Sequence, residues 1–101
     1  MAILTITEDN FSSEVLNSEK PFLLDFFATW CGPCRTMSVV VDEIERLRDD
    51  ISVGKVDVDK NENLSRKYGV TSIPTLIYFK NGEAVKTLVG VHPKAEILNI
   101  L

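Results

Sequence analysis

The sequence predicts an α/β fold in which a central mixed β-sheet, made of parallel βα units and a C-terminal antiparallel hairpin, is flanked by helices on both faces. Three observations predict it. Residues 22–28 are apolar on both alternating faces, which is typical of a central strand covered on two sides. Strand and helix patterns alternate before residue 74, and an Asn81-Gly82 pair then separates two apolar runs. We expect the order βαβαβαββα within a single domain, residues 1–101.

The first predicted elements are a short strand over residues 3–6 and a helix after it. Thr7, followed three residues later by Asn10, is a helix start signal. Phe11, Val15 and Leu16 supply the apolar stripe of this helix. Residues 17–21 predict a turn, and Pro21 stops the helix.

A long helix is predicted over residues 31–47, where apolar residues recur at steps of three and four. Residues 51–59 alternate apolar and polar side chains and are rich in valine, so they predict another strand. Asn61 is expected to cap a short helix that extends through Tyr68 and is ended by Gly69.

The strongest local signal is the hairpin of residues 75–80 and 83–89, because Asn-Gly supplies the positive φ angles of a type I′ turn. Gly90 ends the second strand. An amphipathic terminal helix then follows, with the apolar residues Ile97, Leu98 and Leu101.

Composition excludes several classes of partner. Fifteen acidic and eleven basic residues give a net charge of −4, which argues against binding to nucleic acid or to anionic membrane surfaces. No apolar run approaches the roughly 20 residues that span a bilayer. The N-terminus reaches acidic residues before an export signal could form. We therefore expect a soluble protein in the cytoplasm, a compartment that also suits a chain with two cysteines.

Those two cysteines lie in the motif Trp30-Cys31-Gly32-Pro33-Cys34, between a predicted strand and a predicted helix. A helix N-terminus stabilises a thiolate, and a thiolate attacks disulfides. Cys31, the outer residue, is therefore the candidate nucleophile, and Cys34 is the candidate resolving cysteine. Pro33 suits the first helical turn, and Gly32 leaves the approach to Cys31 open.

Two other uses of the cysteine pair are disfavoured. A zinc site needs two more ligands, and the chain offers only one histidine, His92, far along the sequence, so no metal is expected. A purely structural disulfide is also disfavoured, because so short a loop removes little entropy from the unfolded chain.

Asp25 is the second informative residue, because a carboxylate inside a two-face apolar strand has a raised pKa. It is the candidate proton acceptor for Cys34, the alternatives being a satisfied buried carboxylate or one at an exposed strand edge. Lys55 could pair with Asp25 from the neighbouring strand and modulate it, or lie at the surface. Trp30 is either a contact surface beside Cys31 or part of the core.

Ile73-Pro74 opens the predicted strand of residues 75–80, a position where sheets tolerate proline. Since only about one X–Pro bond in twenty is cis in folded proteins, the residues alone favour a trans bond.

Taken together, these features resemble the thioredoxin family over nearly the whole chain. The resemblance rests on the cysteine motif, Asp25, the strand at residues 55–59, Ile73-Pro74-Thr75, Gly82 and Gly90. It implies a thioredoxin fold and a protein disulfide reductase that carries electrons and maintains cell redox homeostasis. It also implies that Pro74 is cis, that Gly32 and Pro33 tune the reduction potential, and that substrates contact Trp30, Ile73, Pro74, Gly90 and Val91.

The resemblance further implies partners. The electron donor would be an NADPH-fed, flavin-dependent thioredoxin reductase or a ferredoxin-linked one, and disulfide-containing reductases and peroxidases would be the acceptors. The protein itself would be a monomer with no bound cofactor. A disulfide oxidase or isomerase is the nearest rival within the fold, and a non-catalytic binding module is the rival outside it.

Three positions depart from the family pattern. Val39 stands where a proline often kinks the long helix, Phe27 where tryptophan is frequent, and Thr71 where a basic residue is frequent. None of these departures removes a candidate catalytic group.

Overall fold

A computed structural model describes residues 3–101 and, within them, a five-stranded mixed sheet in the order β1-β3-β2-β4-β5. The strands are β1 (Leu4–Thr5), β2 (Phe22–Phe27), β3 (Ser52–Asp57), β4 (Thr75–Lys80) and β5 (Glu83–Val89). The helices are α1 (Gly32–Leu47), α2 (Glu62–Lys67) and α3 (Lys94–Leu98), and a π-helical turn covers Ser12–Leu16. Strands β1, β3 and β2 are parallel, whereas β4 and β5 are antiparallel to their neighbours. The predicted fold class is confirmed.

Strand β2 divides the core into two parts, because successive side chains of a strand point to opposite faces. One face buries Phe22, Leu24 and Phe26 in a cluster with the N-terminal segment. The opposite face buries Leu23 in a cluster with the inner side of α1. Asp25, two positions after Leu23, therefore faces α1. The prediction of a strand covered on both faces is confirmed.

The N-terminal segment begins as predicted but forms a shorter helix. Thr7 N–H donates to Asn10 Oδ1 over 2.7 Å, and Asn10 N–H donates to Thr7 Oγ1 over 3.4 Å. These reciprocal bonds fix the start of the turn. The regular part is only the π-helical Ser12–Leu16, because Asn17 N–H donates five residues back, to Ser12 O, and closes the element.

Helix α2 is capped differently from the prediction. Asn61 occupies the N-cap position, but its side chain makes no capping bond. Its Oδ1 accepts from Glu8 N–H over 2.9 Å, and its Nδ2 donates to Asp57 O over 3.0 Å. The Glu8 carboxylate instead accepts from two backbone N–H groups in the first turn of α2. The prediction of an Asn61 side-chain cap is wrong, because a residue distant in sequence supplies the acceptor.

The C-terminal hairpin confirms its prediction, since Asn81 has φ 53° and Gly82 has φ 79°. Helix α3 is shorter than predicted and ends at Leu98. Leu101 lies beyond this helix, although it still packs against the core cluster under α1. Among residues 3–101, no helix is long and apolar enough to cross a membrane.

Candidate active site

Cys31 and Cys34 form a disulfide at the point where the loop after β2 enters α1, with their Cα atoms 5.2 Å apart. Cys31 is the N-cap residue, and its Sγ accepts a hydrogen bond from Cys34 N–H over 3.2 Å. This N–H has no acceptor within the helix and is aimed at the Cys31 sulfur. Pro33, in the first turn, needs no such acceptor. The site thus places Cys31 where a thiolate is stabilised.

The two sulfurs differ in access, because Cys31 is 6% exposed and Cys34 only 2%. Ala28 is buried with them, and Ile73 packs against this small cluster. The Ile73–Pro74 bond is cis, as the resemblance implied and contrary to the expectation from the residues alone. The segment before β4 thus forms a wall beside the cysteines.

Trp30 lies at the surface next to Cys31, with 69% of its area exposed. Its Nε1 donates to Asp59 Oδ2 over 2.8 Å. Because this indole is exposed, the alternative that Trp30 is part of the core is excluded.

Gly90 connects the end of β5 to the proline segment. Its N–H donates to Pro74 O over 2.8 Å, and its φ of 88° is one that glycine adopts without strain. Val91, the next residue, is half exposed. The predicted contact residues after β5 are thereby joined to the cis-proline segment.

Asp25 is fully buried, and within residues 3–101 neither of its carboxylate oxygens has a hydrogen-bond partner. Its pKa is raised from 3.8 to about 7, chiefly because burial penalises the charged form. The positive charge of Lys55 lowers this pKa, and the negative charge of Asp42 raises it. The prediction of a buried carboxyl with a raised pKa is confirmed.

Lys55 does not form a hydrogen bond with Asp25, which was one of the two alternatives expected for it. The two residues are register partners in neighbouring strands, yet Lys55 Nζ donates to Ser38 Oγ over 2.5 Å and to Asp42 Oδ1 over 2.7 Å. Both acceptors lie on α1, and sequence reasoning missed both. The available signal was the four-residue spacing from Cys34 to Ser38 and from Ser38 to Asp42, which aligns the three side chains on one helix face.

A cavity of about 300 Å³ lies along this face of α1. It reaches from Cys34 to Lys55, and its lining residues are Phe27, Ala28, Thr29, Cys34, Arg35, Ser38 and Lys55. The buried end of the cysteine pair and the Lys55 ammonium therefore border one space.

Both ring nitrogens of His92 are held by other groups. Its Nδ1 is 3.0 Å from Glu96 Oε1, and its Nε2 is 2.9 Å from Val89 O. Among residues 3–101, no group of three or more His, Cys, Asp or Glu side chains could hold a metal ion.

Comparisons with known proteins agree with this geometry. The family model described as Thioredoxin matches residues 2–101. A thioredoxin of Mycobacterium tuberculosis is 48% identical over 101 residues, which cover 99% of this chain and 87% of the relative. Thioredoxin 1 of Synechococcus elongatus is 47% identical over 97 residues, covering 95% and 91%. A thioredoxin of Pyropia yezoensis is 45% identical over 102 residues, covering 100% and 95%.

Proposed function

Because this chain belongs to the thioredoxin family and exchanges dithiols with disulfides, we propose that it reduces protein disulfides with Cys31 as the nucleophile and Cys34 as the resolving cysteine. The observation that carries this order of attack is the difference in position between the two sulfurs. Cys31 is the more exposed sulfur and accepts the Cys34 N–H at the helix terminus. Cys34 is the less exposed of the two, so an incoming disulfide meets Cys31 first.

The reaction has two steps. The Cys31 thiolate attacks one sulfur of the substrate disulfide, and the other substrate sulfur leaves as a thiolate and takes a proton. Cys34 then loses its proton and attacks Cys31 Sγ, which breaks the mixed disulfide and releases the second substrate sulfur. Two electrons pass to the substrate, and the Cys31–Cys34 disulfide forms.

Asp25 accepts the proton that Cys34 loses in the second step. Support comes from its complete burial on the strand face under α1 and from a pKa of about 7, which suits proton transfer at neutral pH. Lys55 modulates this acceptor through its charge rather than through a hydrogen bond.

An extended substrate segment binds over the surface formed by Trp30, Ile73, Pro74, Gly90 and Val91. The exposed indole, the cis-proline wall and the loop after β5 support this role. Gly32 and Pro33, between the cysteines, set the reduction potential.

The electron donor in this proposal is a thioredoxin reductase that draws on NADPH, or a ferredoxin-linked one, and the acceptors are disulfide-containing reductases and peroxidases. The protein works in the cytoplasm as a monomer of one domain, residues 1–101, with no cofactor of its own. One continuous sheet that carries both core clusters supports the single domain.

The test is insulin reduction coupled to NADPH oxidation with candidate reductases. Wild-type protein is expected to turn over, and Cys31→Ser and Cys34→Ser are expected to lose turnover. Cys34→Ser should in addition accumulate mixed disulfides through Cys31, which dithiothreitol releases. If Cys31→Ser traps partners and Cys34→Ser does not, the order of attack is wrong.

A further inference from the structure

Three side chains of α1 form one row above β3. Cys34, Ser38 and Asp42 are separated by four residues each, so they share a helix face and span about 12 Å along the axis. Lys55 extends from β3 to the middle and far end of this row, where it bonds to Ser38 and Asp42. The near end of the row is the resolving cysteine.

We propose that Ser38 and Asp42 are positioning residues that hold the Lys55 ammonium on α1 and so keep it from a hydrogen bond with Asp25. The effect of this positioning on catalysis rests on the proposed function, whereas the positioning itself concerns only Asp25 and its neighbours. The observation behind it is a mismatch: Asp25 and Lys55 are register partners, yet within residues 3–101 both Asp25 oxygens are unpartnered.

The position of Lys55 decides how good a proton acceptor Asp25 is. An ammonium bonded directly to a buried carboxylate favours its charged form and typically lowers its pKa by about 1 to 3. Held by Asp42 and Ser38, Lys55 lowers the pKa of Asp25 only in part, and burial still brings it to about 7. A base whose pKa lies near the working pH transfers protons most effectively.

The groups that surround Asp25 limit the alternatives. Lys55 faces it from β3 and Asp42 from α1, and these are the two charges that act on its pKa. Cys34 is the thiol on the same face of α1. On the other side, the register partner in β4 is Leu76, which does not titrate.

The decisive experiment is a ¹³C NMR titration of the Asp25 carboxyl in the oxidised protein, where neither cysteine titrates. The variants are Asp42→Asn, Lys55→Met and the double variant. Asp42→Asn is expected to lower the pKa of Asp25 by about 1, because Lys55 is released toward it. In the Lys55→Met background, the same change should produce no more than half of that drop.

Two results of the Asp42→Asn titrations overturn the proposal. If Asp42→Asn leaves the pKa of Asp25 unchanged, Asp42 does not position Lys55. If the drop in the Lys55→Met background exceeds half of the original one, Asp42 acts on Asp25 directly and not through the lysine.

Ser38 and a neighbouring acid provide the matched controls. Ser38→Ala should lower the pKa of Asp25 by less than Asp42→Asn does. Ser38→Thr, which keeps the hydroxyl, should restore the wild-type pKa of Asp25.

Glu43→Gln removes one negative charge from α1, as Asp42→Asn does. Because Glu43 faces Lys94 at 3.8 Å, the pKa of Asp25 should not move. A drop in Glu43→Gln equal to that in Asp42→Asn would reduce the effect to general electrostatics and overturn the proposal.

A separate measurement distinguishes this inference from the proposed role of Asp25. Insulin reduction by Asp25→Asn is expected to be slowed at neutral pH. If Asp25→Asn reduces insulin at the wild-type rate while the titrations behave as expected, the positioning stands and the proton-transfer role fails. If Asp25→Asn is slow and the titrations do not move, the role stands and the positioning fails.

Discussion

The carboxylate of Glu8 lies 2.8 Å from the backbone nitrogen of Asn63, a residue 55 positions further along the chain. The same oxygen accepts from Leu64 N–H over 3.2 Å. A negatively charged acceptor at a helix N-terminus satisfies free N–H groups and also interacts favourably with the helix dipole. These two hydrogen bonds hold the segment after β1 against the start of α2.

We expect Glu8→Ala to lower the free energy of unfolding by about 1 kcal/mol, the usual effect of removing an N-cap acceptor. Glu8→Gln keeps an acceptor oxygen and should lose less. Denaturant unfolding of both variants measures the difference, with the exposed neighbour Asp9→Ala as the control. Equal losses in Glu8→Ala and Asp9→Ala would show that the cap contributes nothing.

Gly54→Ala should destabilise the core. A Cβ atom at Gly54 would lie 2.8 Å from Ile6 Cγ1 and 2.8 Å from Phe22 Cζ, both in buried side chains. Overpacking of this kind typically costs about 1 to 3 kcal/mol. Gly32→Ala is the matched control, because a Cβ there meets nothing closer than Arg35 Nη2 at 3.9 Å. Thermal unfolding should separate the two variants, and equal melting temperatures would contradict the close packing at Gly54.

The buried carboxyl of Asp25 makes stability depend on pH. The pKa of Asp25 in the folded protein, about 7, lies above the ordinary 3.8. At pH values between these two, the unfolded chain has released a proton that the folded chain retains. Stability therefore falls as pH rises from about 4 to 7, by about 4 kcal/mol in total, and then levels off.

The measurement is the free energy of unfolding of the oxidised protein across this range. Asp25→Asn, which does not titrate, should flatten the decline. A decline of the same size in Asp25→Asn would assign it to other groups.

His92, at the start of α3, should also make stability fall as pH rises, but by stabilising the fold at low pH. Its pKa is raised, first by the hydrogen bond to Val89 O and then by the one to Glu96. Because the folded pKa exceeds the unfolded one, the stabilisation is fully present below about pH 6.5 and is lost as pH rises through the folded pKa.

Glu96→Gln tests this pH dependence, since it leaves Asp25 unchanged. The difference in unfolding free energy between wild type and Glu96→Gln should be larger at pH 5 than at pH 8. Glu83→Gln, an exposed acid on β5, is the control. A difference that does not vary with pH would exclude a role for protonated His92.

The elements that sequence patterns predicted correctly are those fixed by local chemistry. Asn81-Gly82 specifies its turn through two positive φ angles, and the reciprocal Thr7–Asn10 bonds specify the first turn. The burial of Asp25 followed from its place in a strand that is apolar on both faces. Each of these depends on residues a few positions apart.

The features that sequence patterns missed depend on contacts between distant segments. Asn61 had a suitable side chain for a cap, but the fold brought Glu8 there and used Asn61 to hold the Glu8 backbone. The sequence offers Lys55 two carboxylates, Asp25 in the same sheet and Asp42 on α1. The position of α1 over the sheet determines which of them Lys55 bonds to, and no local sequence pattern specifies that position.

The place of β2 in the sheet has a consequence for hydrogen exchange. It pairs with β3 from Phe22 to Phe27 and with β4 from Phe22 to Phe26, so its backbone is bonded on both sides. Amides in such a strand exchange with solvent only when the whole fold opens. The cysteine pair is thus attached to the part of the chain that opens last, and a substrate can be bound and released without loosening it.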